Sequence, residues 1–310
     1  MESGYPNPIT PASTRIGWIG IGVMGSAMAA RLLSAGYSLT VYARTPSRAL
    51  ALQTLGARLA DSTFELARVC DVVFTMVSHP SDVRQVVLGE GEGAGVLSGI
   101  GRGGVTVDHT SSHPRLAAEI FEAARLKGCW SVDAPVSGAD VGAANGKLAI
   151  LAGGDEDVVR WLLPLFDLMG RATYMGKAGC GQSCKVANQI AVAGNLLGLC
   201  EGLMFAKKAG GLDLPQWVES VKDGAAGSMV MELFGGRMLG RDFESGGLAE
   251  YIVKDLGMAA ENGEDEEGAV VLPGAALSKQ LFHGMVANGD GKLGLHGLVS
   301  VLERLNGCQI

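Results

Sequence analysis

Cysteine and positive charge are both scarce in this chain of 310 residues, and each shortage excludes a class of protein. Its 6 cysteines are dispersed, so they form neither a dense disulfide framework nor two CxxC pairs with zinc spacing. The 32 acidic residues outnumber the 25 lysines and arginines, and the formal charge of -7 leaves no broad basic surface for a nucleic acid. We therefore expect reduced thiols and no nucleic-acid partner.

Histidine is also scarce, and its spacing argues against a metal site. His109 and His113 have an HxxxH spacing, but they lie in a predicted loop and not on a helix, and the other histidines are dispersed. We expect no bound metal. A histidine in such a loop is typically solvated, and assistance to the neighbouring Thr110 is the alternative for His109.

The chain has no uninterrupted apolar run of membrane-spanning length. Residues 1–14 contain three prolines and Glu2 but no apolar run, and they lack the arginine-rich pattern of a transit peptide. The most apolar stretch, Val186 to Ala206, is interrupted by polar residues that are costly in lipid, namely Asn188, Gln189, Asn195 and Glu201. We expect a flexible segment at 1–14, a buried helix and no membrane span at 186–206, and a cytoplasmic location.

A glycine-rich turn is the most informative motif that is present. The sequence GIGVMG follows the apolar run 15–19, opens a helical stretch, and consists of Gly20, Ile21, Gly22, Val23, Met24 and Gly25. In this order Gly20 permits a tight turn, Gly22 lets the backbone approach a pyrophosphate, and Gly25 lets helix and strand pack closely. The motif predicts a nicotinamide or flavin dinucleotide site, with a purely structural turn as the alternative.

Apolar runs typical of strands alternate with helical stretches up to about Tyr174, which predicts an α/β fold with a parallel, doubly wound Rossmann sheet. The clearest strands are at 39–42, 72–77, 105–108 and 130–133. A long helix from about Gln182 to Ala209 begins a purely helical region. We predict a dinucleotide-binding domain at 15–178 and an all-α domain at 179–310, joined by this helix. The acidic tract 261–268 is expected to be a solvated loop.

The end of the second predicted strand bears on the choice of cofactor. An NAD-selective site has an acidic residue there that binds the ribose 2′-hydroxyl, whereas this chain has Arg44 and Thr45, with Ser47 and Arg48 close by. An arginine can hold a 2′-phosphate, and we expect no carboxylate there to repel it. We expect NADP(H) in preference to NAD(H), which stays the second choice. The alternative for Arg44 is a place across the adenine, which fits either cofactor.

Two further segments carry groups suited to a carboxylate and to a proton. Residues 133–138 have the sequence DAPVSG at the end of a predicted strand, where Ser137 and successive backbone N–H groups can converge on a carboxylate. Lys185, Asn188 and Gln189 are spaced i, i+3 and i+4 at the start of the long helix, so they share one helix face. A lysine beside carboxamides can pass a proton to or from a reacting oxygen.

Together with the glycine turn, these segments resemble those of the β-hydroxyacid dehydrogenase family, which includes 3-hydroxyisobutyrate dehydrogenase, tartronate semialdehyde reductase and glyoxylate/succinic semialdehyde reductase. The resemblance extends from Arg15 to about Leu305, and KDLG at 254–257 is similar to a fourth family segment. GQSCK at 181–185 and ANGDGKLG at 287–294 are most similar to plant members called 3-hydroxyisobutyrate dehydrogenase-like.

The resemblance implies roles for individual residues. Lys185 would be the general acid in reduction and the general base in oxidation, polarising the carbonyl and protonating the alkoxide that hydride arrival forms. Substrate contacts would come from two groups of residues, Ser137 with Gly138 and Ala139, and Asn188 with Gln189. Beyond the glycine turn, cofactor contacts would come from Arg44, Thr45, Val77, Ser78, Thr110 and Lys254. For Lys254 a simple salt bridge is the alternative.

Several positions depart from the usual pattern of the family. Ala139 stands where a second glycine is usual, and Gln189 stands where a second asparagine is usual. If residue 139 needs a positive φ, alanine costs on the order of 1 kcal/mol and its methyl narrows the pocket. Gly247 replaces an aromatic residue, while Gly294 and His296 replace an aspartate and a serine. We therefore expect a remodelled distal pocket.

The sequence thus predicts an NAD(P)-dependent enzyme that transfers hydride between nicotinamide and a small 3-hydroxyacid or semialdehyde bearing a carboxylate. An NADPH-dependent glyoxylate/succinic semialdehyde reductase is the alternative within this class, because such substrates differ by a few methylenes. A catalytically silent NADP-binding module that acts through protein partners is the alternative from another class, and Lys185 argues against it. The apolar helical region also favours a homodimer or a higher homo-oligomer.

Overall fold

The chain forms two compact units in this computed structural model, which describes residues 8–89, 94–244, 247–261 and 270–310. The units are Met1–Lys185 and Val186–Ile310. Of the segment predicted to be flexible, residues 1–7 lie outside the described residues. Thr10 and Thr14 close a turn in its second half, where the Thr10 N–H donates to Thr14 Oγ1 at 3.1 Å. The acidic tract predicted at 261–268 lies outside the described residues from position 262 onward.

One sheet forms the centre of the first unit. Its strands are β1 (Arg15–Ile19), β2 (Ser38–Tyr42), β3 (Arg58–Leu59), β4 (Val72–Thr75), β5 (Val105–Asp108), β6 (Trp130–Asp133), β7 (Val136–Ser137), β8 (Leu148–Gly153) and β9 (Gly170–Gly176). Their order is β3-β2-β1-β4-β5-β6-β8-β7, with β9 paired to β8. From β3 to β6 every pair is parallel, which is the strand order of a dinucleotide-binding Rossmann fold. The predicted α/β class is confirmed.

Helices cover both faces of this sheet. They are α1 (Val23–Ser34), α2 (Leu50–Thr54), α3 (Thr63–Arg68), α4 (Pro80–Val87), α5 (Val96–Gly99), α6 (Pro114–Leu126), α7 (Ala139–Asn145), α8 (Glu156–Trp161) and α9 (Leu163–Met169), with a 3₁₀ turn at Pro46–Ala49. Trp18 and Phe74 point to the face covered by α1 and α9. Ile19 and Val73, their neighbours along the strands, point to the face covered by α3, α4 and α6. Two buried faces explain why these strands are continuous apolar runs in the sequence.

The strand predicted at 72–77 is two residues shorter in the structure. β4 ends at Thr75, and the N–H of Val77 donates to the side-chain hydroxyl of Thr110 at 3.0 Å instead of to a neighbouring strand. The apolar character of Met76 and Val77 therefore continues past the end of the strand. This departure from the sheet places Val77 at its carboxyl edge, where dinucleotides bind in such folds.

The second unit is helical in its described residues. A long helix, α10 (Cys180–Ala209), enters it and is followed by α11 (Leu214–Val221), α12 (Met229–Leu239), α13 (Ala249–Glu261), α14 (Pro273–Ala287), a 3₁₀ turn at Leu295–Gly297 and α15 (Leu298–Asn306). The core of this unit joins all of these helices and includes Leu196, Phe234, Phe282 and Leu298. The predicted helical region and the long helix are confirmed.

α10 is buried on one side only, in contrast to the buried helix that the sequence predicts. Leu196 and Leu203 pack into the core of the second unit, whereas Ala187, Ala191 and Phe205 are exposed. By length and composition alone, α10 is the one helix among the described residues that could cross a membrane, and 44% of its most apolar window is buried inside the protein. A one-sided core helix of a water-soluble unit passes the same test.

Candidate active site

The glycine turn between β1 and α1 has the geometry that its sequence predicts. Gly20 has a φ of +96°, and a Cβ there would overlap the Met76 carbonyl. A Cβ on Gly25 would overlap the Gly20 carbonyl, so only glycine lets α1 begin this close to the strand. Around Gly22, in contrast, a Cβ would meet nothing within 4 Å. The open position therefore lies between two crowded ones.

This open position fits a dinucleotide pyrophosphate. Gly22 is the N-cap of α1, and no side chain caps the helix, so the backbone N–H groups of its first turn face outward without a side-chain acceptor. The uncapped N-terminus of a twelve-residue helix attracts an anion through these N–H groups and the helix dipole. Val23 is exposed beside it, whereas Ile21 is buried in the core and supports the turn from behind.

Arg44 and Thr45 follow the end of β2, and the structure brings a carboxylate to Arg44 that the local sequence does not show. The Arg44 guanidinium is 77% exposed and lies 3.5 Å from Oδ1 of Asp82. The other oxygen of Asp82 accepts a hydrogen bond from the His79 N–H at 3.1 Å, at the start of α4. The expectation that no carboxylate opposes a 2′-phosphate here is therefore wrong, because Asp82 is 38 residues away in sequence but adjacent in space.

Thr110 lies at the carboxyl end of β5 and is held on both sides. Its hydroxyl accepts the hydrogen bond from the Val77 N–H, and its own N–H donates to Oδ1 of Asp108 at 3.0 Å. The Thr75 hydroxyl donates to the same Asp108 oxygen at 2.7 Å. Two predicted cofactor residues, Val77 and Thr110, are thus in direct contact at the edge where Ser78 also lies.

The segment from Ser137 to Ala139 leads from β7 into α7. Gly138 has a φ of +135° and Ala139 a φ of +55°. Gly138 is the N-cap of α7, and no side chain caps the first N–H groups of this helix. The positive φ suspected at position 139 is confirmed, so Ala139 adopts a conformation that glycine adopts without strain.

Lys185 lies in the second turn of α10 and is 8% exposed. The start of this helix is fixed by Asp133, the last residue of β6. One carboxylate oxygen of Asp133 accepts from the Gly179 N–H at 2.9 Å, and the other accepts from the Gln182 N–H at 2.8 Å. Asp133 therefore caps α10 from a different element. Burial raises the pKa of the Asp133 carboxyl to about 6, although both N–H groups act in the opposite direction.

Gln182 connects the same helix turn to the Thr110 segment. Its Nε2 donates to the Thr110 carbonyl at 2.7 Å, and its Oε1 accepts from the Ser112 N–H at 2.8 Å. Asp133 and Gln182 were not among the predicted site residues. The DAPVSG and GQSCK motifs contain them, but only the fold shows that each bonds to a distant segment.

In the second unit, Gln189 contacts Asn188 and an aspartate of α13. The Asn188 side chain donates to Oε1 of Gln189 at 3.0 Å, and Nε2 of Gln189 donates to Oδ2 of Asp255 at 2.7 Å. Lys254 lies 3.3 Å from the other oxygen of Asp255 and over the Tyr251 ring. The salt bridge considered for Lys254 is present. Gln189 holds the amide of Asn188, while its predicted contact with substrate stays a prediction.

His109 is a core residue, so the expectation of a solvated loop histidine is wrong. It is fully buried, and its ring is parallel to that of Phe74 at 5.4 Å. Its Nδ1–H donates to the Ala134 carbonyl at 2.6 Å. Burial lowers the pKa of His109 to about 4, so the ring is neutral near pH 7. In the described part of the chain, no group of three or more histidine, cysteine or acidic side chains is placed to hold a metal ion.

The positions near the C-terminus that depart from the usual family pattern, Gly247, Gly294 and His296, have a structural reason. A Cβ on Gly294 would come within 2.8 Å of Nδ1 of His296, so the glycine provides room for the histidine ring. That ring stacks on Phe234 at 4.7 Å in the core of the second unit. Gly247 has a φ of +138°, a conformation that an aromatic residue would adopt only with strain. These three substitutions therefore belong to one local backbone and packing arrangement.

Family models match both parts of the chain. A model described as the NAD binding domain of 6-phosphogluconate dehydrogenase matches residues 15–178. A second, described as NAD-binding of NADP-dependent 3-hydroxyisobutyrate dehydrogenase, matches residues 179–302. Together they cover nearly all of the described residues.

Individual proteins match over almost the full chain. It is 60% identical over 307 residues to the probable 3-hydroxyisobutyrate dehydrogenase-like 3, mitochondrial, of Arabidopsis thaliana, covering 99% of this chain and 93% of that protein. It is 37% identical over 294 residues to the 2-hydroxy-3-oxopropionate reductase of Escherichia coli (strain K12), covering 93% and 97%. A solved structure described as Psf3 in complex with NADP+ and 2-OPP is similar, with a TM-score of 0.84, 25% identity, and coverage of 93% and 99%.

Proposed function

Because this chain belongs to the β-hydroxyacid dehydrogenase family and is an NAD(P)-dependent oxidoreductase of hydroxyacids, we propose that it uses NADPH to reduce a small semialdehyde with a carboxylate, with Lys185 as the proton donor. The observation that carries this proposal is a buried lysine in the second turn of α10, in a segment tied by hydrogen bonds to the Thr110 turn at the cofactor edge of the sheet. A small 3-hydroxyacid is the substrate in the reverse direction.

In this proposal, different residues of the chain bind the substrate carboxylate and transfer the proton. When bound, NADPH supplies the hydride that reduces the carbonyl carbon. The N–H groups at Gly138 and Ala139 and the Ser137 hydroxyl hold the substrate carboxylate. The Lys185 ammonium donates a hydrogen bond to the carbonyl oxygen and then transfers its proton to the alkoxide. In oxidation the neutral Lys185 amine accepts the proton from the hydroxyl.

Activity is tested by following NADPH oxidation with glyoxylate, succinic semialdehyde, methylmalonate semialdehyde and tartronate semialdehyde. Wild-type protein should turn over at least one of these, and Lys185→Ala should lower kcat by at least about a hundredfold. A wild-type rate in Lys185→Ala would contradict the proposed role. No turnover together with tight NADP+ binding by calorimetry would favour the catalytically silent module.

We further propose a preference for NADP(H), supported by the exposed guanidinium of Arg44 at the end of β2 and by an NADP+ complex of a structurally similar protein. Asp82 lowers this preference because its carboxylate neutralises part of the Arg44 charge.

Calorimetric titration should show that Arg44→Asp weakens the binding of NADP+ far more than the binding of NAD+. Asp82→Asn should strengthen NADP+ binding about threefold, as expected for an exposed ion pair. The control Arg125→Asp alters a similar exposed pair with Glu122 elsewhere. If Arg44→Asp weakened the binding of both cofactors equally, the proposed preference for NADP(H) would be wrong.

A cytoplasmic location also remains our proposal. The plant relative described above carries the word mitochondrial in its name, so mitochondria are the alternative location. Microscopy of the full chain fused at its C-terminus to a fluorescent protein distinguishes the two locations. Fluorescence confined to mitochondria would reject the proposal.

A further inference from the structure

Where α10 begins, two side chains form hydrogen bonds with four main-chain groups. Asp133 accepts from the N–H groups of Gly179 and Gln182, and the Gln182 side chain bonds to Thr110 and Ser112. We call these two side chains the α10 bracket. Both are buried, as are Thr110 and Ser112. The four hydrogen bonds measure 2.7–2.9 Å, so they are made away from water with good geometry.

Glycines make room for the α10 bracket. A Cβ on Gly181 would lie 2.6 Å from the Asp133 carbonyl, and a Cβ on Gly153 would lie 2.7 Å from the Asp133 carboxylate. Gly179 has a φ of +90°, and a Cβ there would lie 2.8 Å from the Pro114 carbonyl. The spacing of glycine at 179 and 181 therefore lets α10 start directly against β6 and β8.

The free energy that its hydrogen bonds contribute also distinguishes the α10 bracket from an ordinary helix cap. A single side-chain cap at a helix N-terminus contributes about 1 kcal/mol. Here a carboxyl group is buried, and a buried polar group is tolerated only when its hydrogen bonds are made. Removal of either partner leaves buried N–H or C=O groups without hydrogen bonds, which costs about 1–3 kcal/mol for each group. The first turn of α10 thus has one well-defined position.

We infer that Asp133 and Gln182 are positioning residues, which fix the α10 turn that carries Lys185 relative to the Thr110 segment at the cofactor edge. Gln182 precedes Lys185 by three residues, so one rigid helical turn connects the bracket to the lysine. The inference rests on the proposed role of Lys185. A proton donor acts only within hydrogen-bonding reach of the reacting oxygen, and a displacement of about 1 Å can cost about a hundredfold in rate.

The test compares Gln182→Met, which keeps the side-chain volume but removes both hydrogen bonds, with Asp133→Asn, which keeps one acceptor oxygen. Both should lower kcat by about tenfold to a hundredfold, while the KM for the semialdehyde changes by less than about threefold. Amide hydrogen exchange of the cofactor-free protein, measured by mass spectrometry, should become at least about tenfold faster in residues 179–186.

Thr106→Val is the matched control, because the Thr106 side chain is buried in the same sheet and donates to the Trp130 carbonyl at 3.4 Å. It should leave kcat and exchange at 179–186 within about twofold of wild type, even if the midpoint of unfolding falls. If Gln182→Met fails to fold, the kcat of Asp133→Asn and its amide exchange at 179–186 still test the positioning role.

The outcomes separate this inference from the proposed function. Inactive Lys185→Ala together with wild-type kcat in Gln182→Met and Asp133→Asn overturns the positioning role alone. Unchanged exchange at 179–186 in both bracket variants also overturns it, whichever substrate is used. A wild-type rate in Lys185→Ala overturns the proposed function and, with it, the positioning role inferred for the α10 bracket.

Discussion

At position 139 an alanine occupies a backbone conformation that favours glycine. Its φ of +55° costs an L-residue about 1 kcal/mol, and the residue is the first of α7, directly after Gly138. Ala139→Gly is therefore expected to raise the free energy of unfolding by on the order of 1 kcal/mol, measured by urea titration. Ala144→Gly, in the same helix, is the control and should lower it by about 0.5–1 kcal/mol. A loss of stability in Ala139→Gly would contradict the strain argument.

Asp133 should make stability depend on pH. Burial raises the pKa of this carboxyl from 3.8 to about 6, so the folded protein binds the proton more tightly than the unfolded chain. The stabilisation from protonated Asp133 is complete below pH 4 and is lost as the pH rises to about 6, by up to about 3 kcal/mol. Urea titrations from pH 4 to 7 should show the wild type losing stability relative to Asp133→Asn. Parallel profiles would refute this assignment.

Single residues also mark where inference from sequence is limited. The positive φ at residue 139 could be suspected because the position normally holds glycine. In contrast, the partner of Arg44 could not be predicted, because Asp82 reaches it only through the parallel pairing of β1 with β2 and β4. His109 was expected to be solvated because it lies in a predicted loop, while the rings that bury it come from distant elements, among them Trp18, Phe74 and Phe166.

At the scale of elements, the three glycines of the β1–α1 turn should respond differently to the same added methyl group. Gly22→Ala should preserve folding within about 1 kcal/mol, since nothing lies near the new Cβ, yet it should weaken NADP+ binding at least about tenfold. Gly20→Ala and Gly25→Ala should instead destabilise the fold, because the methyl group would overlap main-chain carbonyls. Calorimetric binding and thermal unfolding of all three variants give the comparison. Tight NADP+ binding by Gly22→Ala would exclude this turn as the pyrophosphate site.

Elements with a strong periodic pattern were predictable, and their ends were less so. The strand at 105–108 matches its predicted bounds and the long helix ends at Ala209 as predicted, because a buried run and the Gly210–Gly211 stop leave little freedom. The same helix begins at Cys180, two residues before its predicted start. β4 was predicted two residues too long, since Met76 and Val77 are apolar but lie past its end. The Met76 N–H still donates to the Ile19 carbonyl of β1 at 2.8 Å, whereas the Val77 N–H does not bond to a strand. Both residues lie at the carboxyl edge of the sheet, where the Val77 N–H donates to the Thr110 hydroxyl.

At the scale of the whole molecule, each of the two units has hydrophobic clusters of its own, and the second unit exposes large apolar side chains. Phe205 of α10 is 76% exposed, and Met229 and Leu305 are also exposed. We propose that such residues lie in a homodimer interface. Light scattering at micromolar concentration should show a dimer for the wild type and a 32.0 kDa species for Phe205→Glu. Leu126→Glu, at an exposed leucine of α6, is the control and should remain dimeric. A monomeric wild type would reject the proposal.

The sequence by itself determined the alternation of strands and helices, the glycine turn and the family, because these depend on local periodicity and on short motifs. Only the tertiary structure showed that Asp133 caps α10, that Gln182 bonds to the Thr110 segment, and that Asp82 opposes Arg44. Each of these contacts joins residues tens of positions apart. Such pairs come together through the order of the parallel strands, and no local pattern of residue types encodes that order.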